Sequence, residues 1–81
     1  MIMPAEKELR AVLARFAQAR IEHDVLPTGH TSRALEDATY TLCVMTGSRT
    51  AEQALRAADA LLEQYRAGRA GLRQADETLA A

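Results

Sequence analysis

Residues 40–55 read YTLCVMTGSRTAEQAL, and the fold turns on them. Tyr40 to Met45 carries no charge and is apolar nearly all round. Gly47 follows, and glycine most readily takes the left-handed backbone that closes a helix. Thr50 then stands three residues before Gln53, the spacing of a capping box. One helix closes and the next opens within a few residues. The stretch therefore predicts a tight helix–helix connection with its most hydrophobic part, Thr41 to Met45, as the central strip of the core.

Upstream, the pattern predicts a second helix over Arg33 to Met45, with Leu35, Ala38, Leu42 and Met45 as its seam. Arg33, Glu36 and Asp37 fall on its solvent side, with Arg33 the expected partner of the two carboxylates. The apolar second half of this helix predicts burial on all sides or a partner, and Tyr40, whose hydroxyl must find a partner if buried, marks a rim or contact surface. Before it, residues 24–32 read DVLPTGHTS. Pro27 and Gly29 predict a linker, Thr31 or Ser32 the next cap, and Val25 and Leu26 are expected to tuck under the bundle.

The first helix is expected from Pro4 to His23. Pro4 suits the first helical position, Glu6 and Glu8 complement the dipole, and Leu9, Val12, Leu13, Phe16 and Ile21 mark an apolar stripe. Downstream, a third helix is expected from Ala51 to Arg66. Its seam runs through Ala51, Ala54, Leu55, Ala58, Leu61, Leu62 and Tyr65. Gly68 and Gly71 are expected to loosen the chain. The fold class is all-α: a compact three-helix bundle over residues 1–68. Residues 69–81 are expected as a flexible tail or a short C-terminal fourth helix that frays.

Length and composition set the limits. The chain has 81 residues and a formal net charge of −1, which gives no overall pull toward nucleic acid or anionic lipid. A core this small is marginal alone, and with the apolar half of the second helix it suggests a homodimer. One cysteine, no secretory leader and no long apolar run predict a cytoplasmic, soluble protein away from any membrane.

Candidate chemistry is sparse. A reactive thiol needs a helix N-terminus or a neighbouring cation. Cys43 lies near a helix C-terminus between Leu42 and Val44, so it reads as a buried, inert cysteine. His23 and His30 lack the spacing of a metal site, and no metal or cofactor is expected. Glu36 and Asp37 are adjacent and point about 100° apart on a helix, so they form no catalytic pair. No glycine-rich phosphate loop is present. An enzyme would need Cys43, or the His23 and His30 pair, exposed and coupled; the chain reads as non-enzymatic. Arg49, Arg56, Arg66, Arg69 and Arg73 make the C-terminal third locally basic, a candidate nucleic-acid face interrupted by Asp59 and Glu63.

The motif LED..YTLCV.TG.R is carried here by Leu35, Glu36, Asp37, Tyr40 to Val44, Thr46, Gly47 and Arg49, with Arg33 two residues before Leu35. It follows Met1, Met3, Pro4, Leu9, Arg10, Leu13, Arg15, Arg20 and His23, and precedes Ala54, Leu55, Ala57 and Ala58. In this the chain resembles a group of short actinobacterial proteins of Streptomyces type, classified as a domain of unknown function. It departs from their pattern at Ser48, where threonine is usual. The resemblance implies no activity; its bacterial setting suggests development or specialised metabolism. Thr50 to Leu62, T.EQAL..A..LL, is also similar in layout to the helical RNA-binding domain called ANTAR, which binds paired RNA hairpins as a dimer. The usual alanine–lysine–glycine run is absent, and no RNA-binding residue carries over.

The leading expectation is thus a small protein-interaction or regulatory adaptor. Its candidate partner surface is Tyr40, Val44, Val25, Leu26 and Arg33. An ANTAR-like RNA-binding regulator is the alternative, and a small enzyme or accessory of a biosynthetic enzyme the second.

Overall fold

Three helices follow one another in the computed structural model, which describes residues 3–80 and the side chains of residues 3–72. They are α1 (Glu6–Val25), α2 (Gly29–Thr46) and α3 (Ala51–Ala80). The middle helix, α2, packs against both others, while α1 and α3 touch least.

Pro4 precedes the helix instead of opening it. Ala5 occupies the cap position and offers no side-chain hydrogen bond, so Glu6 and Glu8 alone complement the free N–H groups of the first turn. Leu9, Val12, Phe16 and Ala19 are the buried stripe of α1, and Leu13 flanks it. Ile21 does not belong to it. It lies five residues beyond Phe16, about 140° further round the helix, and is 57% exposed.

The long linker collapses to three residues between Val25 and Gly29. Thr28 is the cap of α2: its hydroxyl accepts from the Thr31 N–H at 3.0 Å, and the Thr31 hydroxyl accepts from the Thr28 N–H at 2.8 Å. Thr31 is therefore the reciprocal member of the capping box, not the cap, and Gly29 is a helical residue. His23 Nδ1 lies 2.8 Å from Thr31 Oγ1, joining the end of α1 to the start of α2. Val25 and Leu26 do not tuck under the bundle; they are 78% and 67% exposed. Val25 lies about 160° round α1 from Leu9, on the side away from the core.

At the other end of α2 the expected closure is found. Gly47 adopts φ 68°, ψ 31°. Its N–H donates to the Val44 carbonyl at 3.3 Å and the Ser48 N–H donates to the Cys43 carbonyl at 2.9 Å, the paired bonds of a Schellman motif. Thr50 caps α3 by accepting from the Gln53 N–H at 3.2 Å. Gln53 reaches back one residue further than expected, its Oε1 accepting from the Arg49 N–H at 3.2 Å.

The core is Leu9, Val12, Phe16 and Ala19 of α1, Ala38 and Leu42 of α2, and Ala54 and Ala58 of α3. The alanines let α3 approach the larger side chains closely. Leu35, Met45, Leu55, Leu61, Leu62 and Tyr65 pack around this centre. Thr46 is buried and donates to the Leu42 carbonyl at 2.9 Å.

α3 does not end near Arg66. It runs through Gly68 and Gly71 to Ala80, so the expected fourth helix is the continuation of the third. Each helical glycine costs only about 0.5–1 kcal/mol relative to alanine, and the flanking Ala, Arg and Leu residues favour helix. Arg69 also forms an ion pair with Glu6, tying the second half of α3 to the first turn of α1. The overhang lengthens the molecule to 59 × 26 × 16 Å.

Candidate protein-interaction surface

Not all of Tyr40 to Met45 is core. Leu42 is fully buried and Cys43 and Met45 are half-buried, but Tyr40 is 72% and Val44 63% exposed. The reason is geometric. Ala38, Leu42 and Thr46 bury one side of α2 against α1 and α3. Tyr40 and Val44, spaced by four, lie on the opposite side, where the three-helix fold has no further layer.

Beside them runs an open groove of about 840 Å³. Leu35, Thr39 and Cys43 form its floor along α2, and Tyr40 and Val44 its wall. Ser32 and Glu36 stand at one end; Gly47, Ser48 and Arg49 stand at the other. The groove is large enough for a small molecule, but it is shallow and open along its length. That shape suits a helix or an extended segment better than an enclosed ligand. Arg33 lies on the Tyr40 side of α2, seven residues before it, and among the described residues it makes no ion pair with Glu36 or Asp37.

Val25 and Leu26 belong to a separate corner with Ile21, where α1 turns into α2. The candidate partner residues therefore divide into two patches. Sequence reading missed Glu36, Cys43 and Leu35 as groove residues, and Ile21 as part of the corner. The i, i+4, i+8 spacing of Glu36, Tyr40 and Val44 was the available signal.

Among the described residues, two of the basic candidates are paired with carboxylates. Arg69 is engaged by Glu6, and Arg66 Nη1 lies 3.2 Å from Glu63 Oε1. Arg56, Asp59, Glu63 and Arg66 share one stripe of α3 at helical spacing, a mixed-charge surface. Arg49 lies apart, at the groove. The Arg73 side chain lies outside the described residues.

Cys43 is half-buried in the groove floor, near the C-terminal end of α2. His30 is exposed and His23 is held by Thr31, and among the described residues no three His, Cys, Asp or Glu side chains converge as a metal site. The hydrogen bond from Arg10 is the largest influence holding the Glu6 carboxyl below the ordinary glutamate range; desolvation opposes it, and the hydrogen bond and charge of Arg69 add to the lowering. Among the described residues, no helix is long and apolar enough to cross a membrane.

No curated protein and no solved structure matches the chain. A family model does match, over residues 1–65, which include α1, α2 and the groove. On that match the chain belongs to the family described as a protein of unknown function (DUF5133).

Proposed function

We propose that the protein is a small non-enzymatic interaction module whose contact surface is the outer side of α2. One observation carries this reading: Tyr40 and Val44 are both exposed, side by side, along an open groove floored by Leu35 and Cys43. Exposed aromatic and aliphatic side chains flanked by charges are the usual make-up of a protein contact. Catalysis would call for convergent titratable groups, and the groove brings together only Glu36, Tyr40, Cys43 and Arg49, spread along its length. Regulation by binding suits so small a domain.

The test is a tagged capture from the native host, treated with nuclease, comparing the wild type with Tyr40→Ala. The expected result is a protein retained by the wild type and lost with the variant, while the helical circular dichroism is unchanged. Capture of RNA that disappears with salt would support the ANTAR-like alternative instead. Identical capture by both proteins would remove the α2 surface from the proposal.

A further inference from the structure

We infer that the α2 groove docks a second copy of this chain, antiparallel across a two-fold axis, with Glu36 of each copy against Arg49 of the other. The inference rests on the reading of the groove as a protein-contact surface and names its occupant.

The observation behind it is the placement of two charges. Glu36 and Arg49 are exposed, line the same groove, and stand at its opposite ends. Among the described residues neither has an ion-pair partner within the chain. Between them stand Tyr40 and Val44. A surface with an anion at one end, a cation at the other and an apolar centre is complementary to itself when reversed.

Helix geometry makes the register specific. Let the two-fold axis pass at the level of Leu42, midway between Tyr40 and Val44 along α2. Tyr40 of one copy then lies against Val44 of the other. At a rise of about 1.5 Å per residue, Glu36 stands about 9 Å to one side of this level. Thr46, the last residue of α2, stands about 6 Å to the other, and Arg49 follows it past the Gly47 closure at that end of the groove. Reversal brings Glu36 of one copy to the end of the groove where Arg49 of the other stands, and does so twice. Asp37 falls opposite Gly47, which carries no charge. A parallel pairing would instead set Glu36 against Glu36 and Arg49 against Arg49. A net charge of −1 offers little resistance to self-association.

The apolar part of this contact spans only two turns of helix. The interface therefore falls at the small end of specific contacts, which associate weakly, on the order of micromolar or above.

Sedimentation of the purified full chain tests the idea over roughly 10–1,000 µM, the range such an interface requires. The wild type, Glu36→Arg, Arg49→Glu and an equimolar mixture of the two variants are compared. Both positions are exposed, and circular dichroism checks that each variant keeps its helices. The wild type should dimerise with rising concentration. Each single reversal creates two like-charge contacts and should weaken the dimer about tenfold or more. The mixture restores both opposite-charge contacts across the axis, and association should return to within a few-fold of the wild type. An intrachain role for either residue cannot give that recovery. A wild type that stays monomeric, a dimer indifferent to both reversals, or a mixture that fails to recover each overturns the inference. If the wild type is monomeric while Tyr40→Ala still loses a captured host protein, the contact surface stands and only its self-occupancy falls.

Discussion

Glu6 in the first turn of α1 and Arg69 in the second half of α3 form an ion pair across 63 positions of the chain. Glu6 also accepts from Arg10 Nε at 2.9 Å, one turn along α1. One carboxylate thus holds a local partner and a distant one. The distant contact is the described ion pair that fastens the overhang of α3 to another helix.

That arrangement gives a pH dependence of known sign. Arg10, then Arg69, lower the Glu6 carboxyl below its ordinary range. A depressed folded value means that the stabilisation is complete above the unfolded glutamate value and is lost as pH falls through the folded one. Glu6→Gln should therefore melt below the wild type at neutral pH, and the difference should shrink to nothing in acid. Thermal melts of both proteins between neutral pH and strong acid check this. A difference that stays constant with pH would show that the charge of Glu6 is not what matters.

The glycines should respond in opposite directions. Gly47 holds a left-handed conformation at φ 68°, which costs an L-residue roughly 1–2 kcal/mol. Gly47→Ala should thus lower the melting temperature by several degrees, at about 4–8 °C per kcal/mol for a domain of this size. Gly68 lies inside α3, and a Cβ added there meets nothing within 4 Å. Gly68→Ala should raise stability by about 0.5–1 kcal/mol. Paired melts of the two variants decide the matter, and equal signs would contradict the assigned backbone.

Neighbouring residues of α2 should separate folding from binding. Leu42 is fully buried between the helices. Leu42→Ala should cost about 2–5 kcal/mol, a large share of the stability of a domain this small. Val44→Ala and Tyr40→Ala remove exposed groups and should stay within about 0.5 kcal/mol of the wild type. Urea titrations of the three variants give the comparison. A strongly destabilising Tyr40→Ala would mean that its ring is structural, and the contact surface would need another anchor.

The features legible in the sequence are those set within a few residues. Gly47 and Thr50 mark a helix end and a helix start through bonds to their own neighbours, and both are found where expected. The start of α2 was harder because Thr28 and Thr31 are both competent caps, three residues apart. Their reciprocal bonds place both within one motif, and Gly29 continues the helix where its type suggests a turn. The exposure of Tyr40 and Val44 had no local signal. A segment apolar on all sides does not reveal which side meets the bundle; that depends on how many layers the fold supplies. The convergence of Glu36 and Arg49 on one groove was equally hidden, since it spans a helix, its glycine closure and the turn beyond.

Cys43 reports on the groove without any change to the protein. It lies half-buried in the floor beside Tyr40 and Val44, reachable from solvent in a single copy. In the antiparallel pairing the wall of the second copy covers it. Its alkylation by a small maleimide should therefore slow as protein concentration rises through the dimerisation range. In Glu36→Arg, whose dimer is weaker, the slowing should set in only at about tenfold or more higher concentration. Sampling both proteins by mass spectrometry at matched reagent excess gives the rates. A wild-type rate that is the same at every concentration would show that the thiol is never covered, and the pairing would have to leave the Cys43 side of the groove open.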